Sequence, residues 1–282
     1  MPAAPYCWPL KPFTRQHPIR GYFNDPRNGE NSNAFHFGID IAAPDGTAVY
    51  AVEPGIVHLE GPRNVSVVRS DGSRSFGYWH IVPVVKHRQT VRKQALLGHV
   101  AKKWGHVHFA ERAAGEYLNP CRRGAITPYL DASSPKIERI LLQRGTRALD
   151  PARVSGGVDV IVEAYDRPAL LVPDPRWTNM PVTPARIRWR VLQGTKTVRE
   201  WHTPVDFRLR MLPASIFDEI YAAGTRQNHP GEPGVYRFYL AHTWSTRLLP
   251  NGDYKIEVEA SDIDGNKAVA RLPITIANRR PS

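Results

Sequence analysis

Residues 36–57 read HFGIDIAAPDGTAVYAVEPGIV, and within and just beyond them short apolar runs at 37–42, 48–52 and 55–60 are set apart by Pro44-Asp45-Gly46 and Pro54-Gly55. Runs this short between Pro, Asp and Gly read as β-strands joined by tight turns. The same punctuation marks strands at 65–69, 77–85 and 107–110, with no long helical pattern between them. The first part of the chain is therefore expected to be an antiparallel β domain.

His36 and Asp40 open this segment. In an extended strand they would share a face but stand about 13 Å apart. Gly38 lies between them, and glycine permits a bulge or sharp bend that brings two such side chains together. A second cluster is Gly105-His106-Val107-His108-Phe109, and Tyr78-Trp79-His80-Ile81 lies between the two. If Val107 and Phe109 point into a core, His106 and His108 share the opposite face, about 6.5–7 Å apart. That spacing suits one metal ligand beside one general acid or base. Histidine and aspartate are both zinc ligands, and three protein ligands leave a fourth position for water, the catalytic arrangement. Such a metal lowers the pKa of its water to about 7 and polarises a carbonyl. Two further histidines close by could carry the proton and stabilise the developing charge.

Composition narrows the partners. The chain has 282 residues and a net charge of +12, from 38 Lys and Arg against 26 Asp and Glu. Hydrophobic residues make up 41%, enough to build a core and to exclude wholesale disorder. No run approaches the roughly 18 apolar residues of a membrane-spanning helix. The N-terminal stretch MPAAPYCWPLKPF lacks the basic and apolar regions of a signal peptide. Excess positive charge favours polyanionic partners, an anionic cell wall among them. No basic run interleaves with aromatics, so the sequence offers no nucleic-acid platform. The only two cysteines, Cys7 and Cys121, are too few for a Cys-rich zinc site. They either pair in an oxidising compartment or stay free.

A polar seam ending in proline, Asp131-Ala132-Ser133-Ser134-Pro135, divides the chain into residues 1–133 and 134–282. Beyond it, strands are expected at 136–143, 158–167, 185–192, 235–244, 253–260 and 267–277, with a short helix at 214–223. Asn251-Gly252-Asp253 and Asp264-Gly265-Asn266 are turn signals. Strands this short and this numerous suggest an immunoglobulin-like β-sandwich. The chain as a whole is expected to be mostly β.

Taken together, the motifs resemble the lysostaphin/LytM-like (β-lytic) zinc metalloendopeptidases, which cut the peptide part of bacterial peptidoglycan. The resemblance runs over about residues 8–131. It starts at Trp8-Pro9-Leu10 and His17-Pro18-Ile19-Arg20-Gly21-Tyr22-Phe23 and is densest at 36–57. It continues through Tyr78-Trp79-His80-Ile81, residues 91–98, His106-Val107-His108-Phe109 and Tyr117-Leu118-Asn119-Pro120.

The resemblance implies a duplicated-hybrid-motif-like β fold in which His36, Asp40 and His108 ligate Zn2+ and His80 and His106 are catalytic. It implies a peptidoglycan hydrolase using zinc-activated water, monomeric and exported to the periplasm or beyond, with peptidoglycan as partner and no nucleic acid. The alternative is a peptidase-fold protein that binds without turnover or activates another cell-wall hydrolase. All five expected positions are filled, which argues against it.

Two features depart from the family pattern. Loop 100–105 before the second histidine pair is short, and the polar loop 24–34 is long enough to form a second cleft wall or simply a solvated turn. His58, His87 and His99 match no role. Every candidate lies at or before position 108, so the first part alone is expected to build the site.

Overall fold

The computed structural model describes residues 5–28 and 33–279. Residues 29–32, the tip of the polar loop read at 24–34, lie outside the described residues. The first part of the chain forms an eight-stranded sheet. Its order is Ile19–Gly21, Ile39–Ala42, His106–Ala113, Arg74–Trp79, Asn64–Val68, Gly55–Leu59 and Thr90–Val91, with Glu116–Leu118 added beside His106–Ala113. A smaller sheet joins Ala48–Tyr50, Leu96–Val100 and Ile81–Pro83. These ladders are antiparallel, as alternating apolar residues with one face inward demand. Ile39, Ile41, Val107 and Phe109 face a core that also holds Trp8, Phe76 and Tyr78. The N-terminal segment is fastened to this core by Tyr6, whose hydroxyl donates to the buried Glu111 at 2.7 Å, and by Trp8, whose ring N–H donates to the Pro128 carbonyl at 2.7 Å.

The second part holds two four-stranded antiparallel sheets. One is Arg147–Ala148, Lys136–Arg144, Gly157–Tyr165 and Arg237–Ser245; the other is Lys196–Asp206, Arg186–Gln193, Gly252–Ser261 and Lys267–Ile276. Val160, Val162 and Phe238 from the first sheet and Ile187, Trp189, Ile256 and Val258 from the second share one core.

Three local expectations differ from the structure. The strand expected at 77–85 is divided between Arg74–Trp79 and Ile81–Pro83, in different sheets, because His80 at φ 66° breaks the extended backbone. Strand Lys196–Asp206 had no sequence signal, because it is an edge strand in which only Val205 is buried, so it has no apolar face to alternate. The helix expected at 214–223 is a 3-10 turn, Ala214–Ile216, followed by the single helical turn Phe217–Ile220. Tyr221 returns to extended backbone and bridges to Phe238, which ends the helix. Cys7 and Cys121 are both free thiols.

The seam is pinned rather than loose. The Asp131 backbone N–H donates to Asp264 at 2.6 Å, and Asn266 donates to the Asp131 carbonyl at 2.7 Å. Further links cross between the two parts. Phe35, although early in the chain, is buried in the second core, its ring 5.2 Å from Phe217 and 5.8 Å from Tyr221. Asn24 is fully buried with φ at 63°; its side chain donates to the Arg210 carbonyl and accepts from the Leu212 N–H, and its own carbonyl accepts from the Tyr221 hydroxyl. Asp25 accepts from the Thr183 N–H at 2.9 Å.

At this junction the carboxylates of Asp131, Asp166 and Asp262 crowd together, all buried. Burial, with Asp131 and Asp262 nearby, pushes Asp166 up from 3.8 to about 8, against one hydrogen bond from the Arg167 N–H. The folded chain therefore keeps a proton on Asp166 that the unfolded chain has released, and stability falls as pH rises between about 4 and 8. Asp166→Asn is expected to be more stable than the parent at pH 8. The gain should shrink toward pH 4 with a slope of at most about 1.4 kcal/mol per pH unit, read from urea denaturation across that range.

Candidate active site

Strand Ile39–Ala42 lies between Ile19–Gly21 and His106–Ala113, with Asp40 in register with His108 and Ala42 with His106. The core claims Ile39, Ile41, Val107 and Phe109, so Asp40, His106 and His108 all turn to the other face. His36 reaches them from the turn just before the strand. His36 Nε2, Asp40 Oδ1 and His108 Nδ1 form a triangle with sides of 3.1, 3.1 and 2.9 Å.

Gly38 makes this approach possible, though not by a left-handed backbone. A Cβ there would lie 2.4 Å from the Phe109 carbonyl oxygen and 2.8 Å from His108 Nε2. The glycine is needed because the His108 ring lies against it. Gly21 serves Asp40 likewise: its Cβ would lie 2.6 Å from Asp40 Oδ2.

The three donors are chemically suited to a metal. Four donors around a zinc ion at about 2.0–2.1 Å stand roughly 3.3 Å apart, close to the observed triangle. The His36 ring donates from Nδ1 to the Tyr22 carbonyl at 2.7 Å, which leaves the Nε2 lone pair facing Asp40. Burial, then the Arg27 charge, pushes His36 down to about 3; burial also lowers His108, so both rings are neutral donors. Burial would raise Asp40, but the facing His36 and His106, with hydrogen bonds from His106 and His108, hold it well below the usual carboxylate range. His108 Nε2 is buried with no hydrogen-bond partner, so the ring is oriented by its Nδ1 contacts with Asp40 and His36 and by packing against Phe37 and Trp79.

His106 and His80 stand beside the triangle. His106 Nε2 is 3.5 Å from Asp40 Oδ1. Its Nδ1 faces an obligate donor, Arg20 Nη2 at 2.7 Å, and an obligate acceptor, the Trp104 carbonyl at 2.8 Å. It can satisfy only one at a time, so the ring tautomer is set by which neighbour holds it. His80 sits in the left-handed region at φ 66° and stacks on Trp104 with ring centres 3.6 Å apart. Its ring centre is 4.7 Å from that of His106. Burial, then His106, lowers His80 to about 3. All five residues singled out in the sequence thus border one cleft. His58, His87 and His99 do not line it.

Sequence reasoning missed several cleft residues. Arg27, in the polar loop, pairs with Asp40 Oδ2 at 2.9 Å. Trp104, from the short loop, forms one wall. The opposite wall comes from the second part of the chain: Trp177, Gln227, Asn228, His229 and Pro230 border the same cavity of about 520 Å³. The expectation that the first part alone builds the site is therefore corrected. His36 itself depends on the second part, because its N–H donates to the Asp25 carbonyl and its carbonyl accepts from the Asn24 N–H, both residues held as described above. No local pattern announces these contacts, since they join segments some 150–200 residues apart in sequence, where single-sequence reading carries no register.

Residues 34–120 match the description of Peptidase family M23. No curated protein matches the chain. Among solved structures it is similar to the catalytic domain of the antimicrobial peptidase lysostaphin from Staphylococcus simulans, at 21% identity over 36% of this chain and 85% of that one, TM-score 0.31. It is also similar to a zinc-containing peptidase from Vibrio cholerae, at 22% identity over 42% of this chain and 39% of that one, TM-score 0.34.

Gly38→Ala tests the packing that aims His108. The added methyl has a backbone carbonyl in its way, so the strand or the ring must move. We expect a loss of about 2–4 kcal/mol in stability by urea denaturation, the cost of overpacking a tight site. Gly46→Ala, at a turn with open space around it, should cost no more than about 1–2 kcal/mol of backbone strain.

Proposed function

We propose, on the match of residues 34–120 to peptidase family M23, that the chain is a zinc endopeptidase of the lysostaphin/LytM-like type hydrolysing peptide bonds of bacterial peptidoglycan. The observation that carries this reading is the triangle of His36 Nε2, Asp40 Oδ1 and His108 Nδ1, 2.9–3.1 Å on a side, within an open cleft. These residues would hold Zn2+, which when bound acidifies a water and polarises the substrate carbonyl.

The chain's own groups supply the rest. His36 and His108 stay neutral through burial, and Asp40 stays ionised. When Arg20 donates to His106 Nδ1, the ring proton of His106 sits on Nε2 and faces the cleft, placed for the substrate carbonyl oxygen or the leaving nitrogen. His80, steadied on Trp104, presents its ring to the same space and holds or passes on the second proton. Trp79, Trp104 and Trp177 narrow the cleft and exclude water from the bound peptide. The second part, which we read as an immunoglobulin-like sandwich, completes the cleft wall. The net charge of +12 suits an anionic wall outside the cytoplasm, and we assign the protein an exported role.

Purified protein loaded with zinc and incubated with isolated sacculi should release muropeptides, identified by mass spectrometry. Intact sacculi would sink the reading. His36→Ala and Asp40→Ala should lose both the metal, by elemental analysis, and the activity. His106→Ala should keep most of the metal while the rate falls about 10²–10⁴-fold. A metal-free His106→Ala beside a metal-loaded His108→Ala would reverse the two assignments.

A further inference from the structure

Two arginines line the cleft, and they differ in one respect. Arg27 is neutralised by Asp40 at 2.9 Å. Arg20 forms no ion pair with a carboxylate among the described residues, Asp40 and Asp174 acting on it only from farther off; its close contacts are the His106 ring and the face of Trp177, 4.2 Å from its guanidinium carbon. Its Nε is buried with no hydrogen-bond partner. A half-buried, unpaired guanidinium is costly unless something supplies an anion. The indole of Trp177 steadies the guanidinium, Nη2 is spent on His106, and Nη1 makes no hydrogen bond among the described residues; an anion is the natural match for it, and a carboxylate can take Nη1 together with the second Nη2 hydrogen. Asp40 cannot serve, because its oxygens are engaged by Arg27 and the histidines. Trp177 comes from the second part of the chain and Arg20 from the first, so this pair exists only where the two parts meet.

Resting on the peptidase reading above, we infer that Arg20 and Trp177 form a carboxylate subsite, and that the chain selects peptides carrying a free carboxylate next to the scissile bond. Adjacency follows from contact: Arg20 Nη2 touches His106, and His106 borders the donor triangle. The carboxylate can be a chain terminus or an acidic side chain, since both offer the same two oxygens. Arg20 is in this respect a specificity-determining residue, and Trp177 positions it.

The test uses the full-length, zinc-loaded protein and dye-labelled peptides in matched pairs. One pair is dye-Ala-Gly-Gly-Ala ending in a carboxylate or a carboxamide; the other is dye-Gly-Gly-Glu-Gly-amide or its Gln counterpart. Binding is read by fluorescence anisotropy, and cleavage by product separation. The parent should favour the carboxylate member of at least one pair by about 10- to 100-fold, the range for a hydrogen bond to a charged group. Which pair responds tells a terminus from a side chain.

Arg20→Ala should erase the preference and Arg20→Lys should restore part of it. Trp177→Ala, which leaves His106 untouched, should weaken the preference with zinc content unchanged. A loss confined to fold or metal would slow both members of a pair alike, so the ratio isolates recognition from structure. Carboxylate-selective binding without cleavage of any substrate would sink the peptidase reading and keep the subsite. Equal binding of both members of each pair, no measurable binding of any of them, or a preference that survives in Arg20→Ala would overturn the subsite.

Discussion

Asp40 sets a single negative charge beneath four groups that are positive or can become so: His36, His106 and His108 around Oδ1, and Arg27 on Oδ2. A carboxylate with this little contact with water stands only if its partners are in place, because an unmatched buried charge costs several kcal/mol. Much of the surrounding architecture meets that requirement. Gly21 and Gly38 clear the space, and the register of Ile39–Ala42 with His106–Ala113 delivers two imidazoles. Arg27 arrives on the short strand Pro26–Asn28, paired with Asn33–Phe35. That hairpin is fixed in turn by Phe35, whose ring belongs to the second core. Two cores thus converge on the solvation of one side chain.

The parts of the molecule legible in the sequence are those whose signals are local. Alternation at Ile39 and Ile41 and at Val107 and Phe109 named the strands and, by subtraction, the residues on the other face. Gly38 between His36 and Asp40 signalled that the two could meet, although its service is to admit the His108 ring rather than to bend the chain by a left-handed turn. Strand Lys196–Asp206 was illegible because an exposed edge needs no apolar face. The contributions of Arg20, Trp177 and residues 227–230 were illegible for another reason. Their meaning is relational: a tryptophan becomes a wall only when a distant segment folds opposite it.

The short loop 100–105 shows how a departure in length is absorbed. The side chain of Asp45 accepts from the Lys103 and Gly105 N–H groups at 2.7 and 2.9 Å, and Gly105 takes φ of +60°. Those bonds hold Trp104 against the site, where its indole face supports His80 and its backbone carbonyl meets His106. A bulky side chain on a braced turn does here what a longer loop would do by reach.

Residues 22–36 have a thermodynamic consequence beyond geometry. The segment that carries His36 is fastened by Asn24, Asp25 and Phe35 to a core built mostly from residues after 136. An ion bound by His36, Asp40 and His108 adds stability in proportion to the logarithm of its concentration over its dissociation constant, about 2.7 kcal/mol at a hundredfold excess. Because the donor segment belongs to both cores, that increment is shared, and neither half can melt without forfeiting it. On the proposed metal-binding reading, metal supply would thereby become a determinant of lifetime: without the ion the whole chain would open more often and meet proteases sooner, so that unloaded molecules would be cleared in preference to loaded ones.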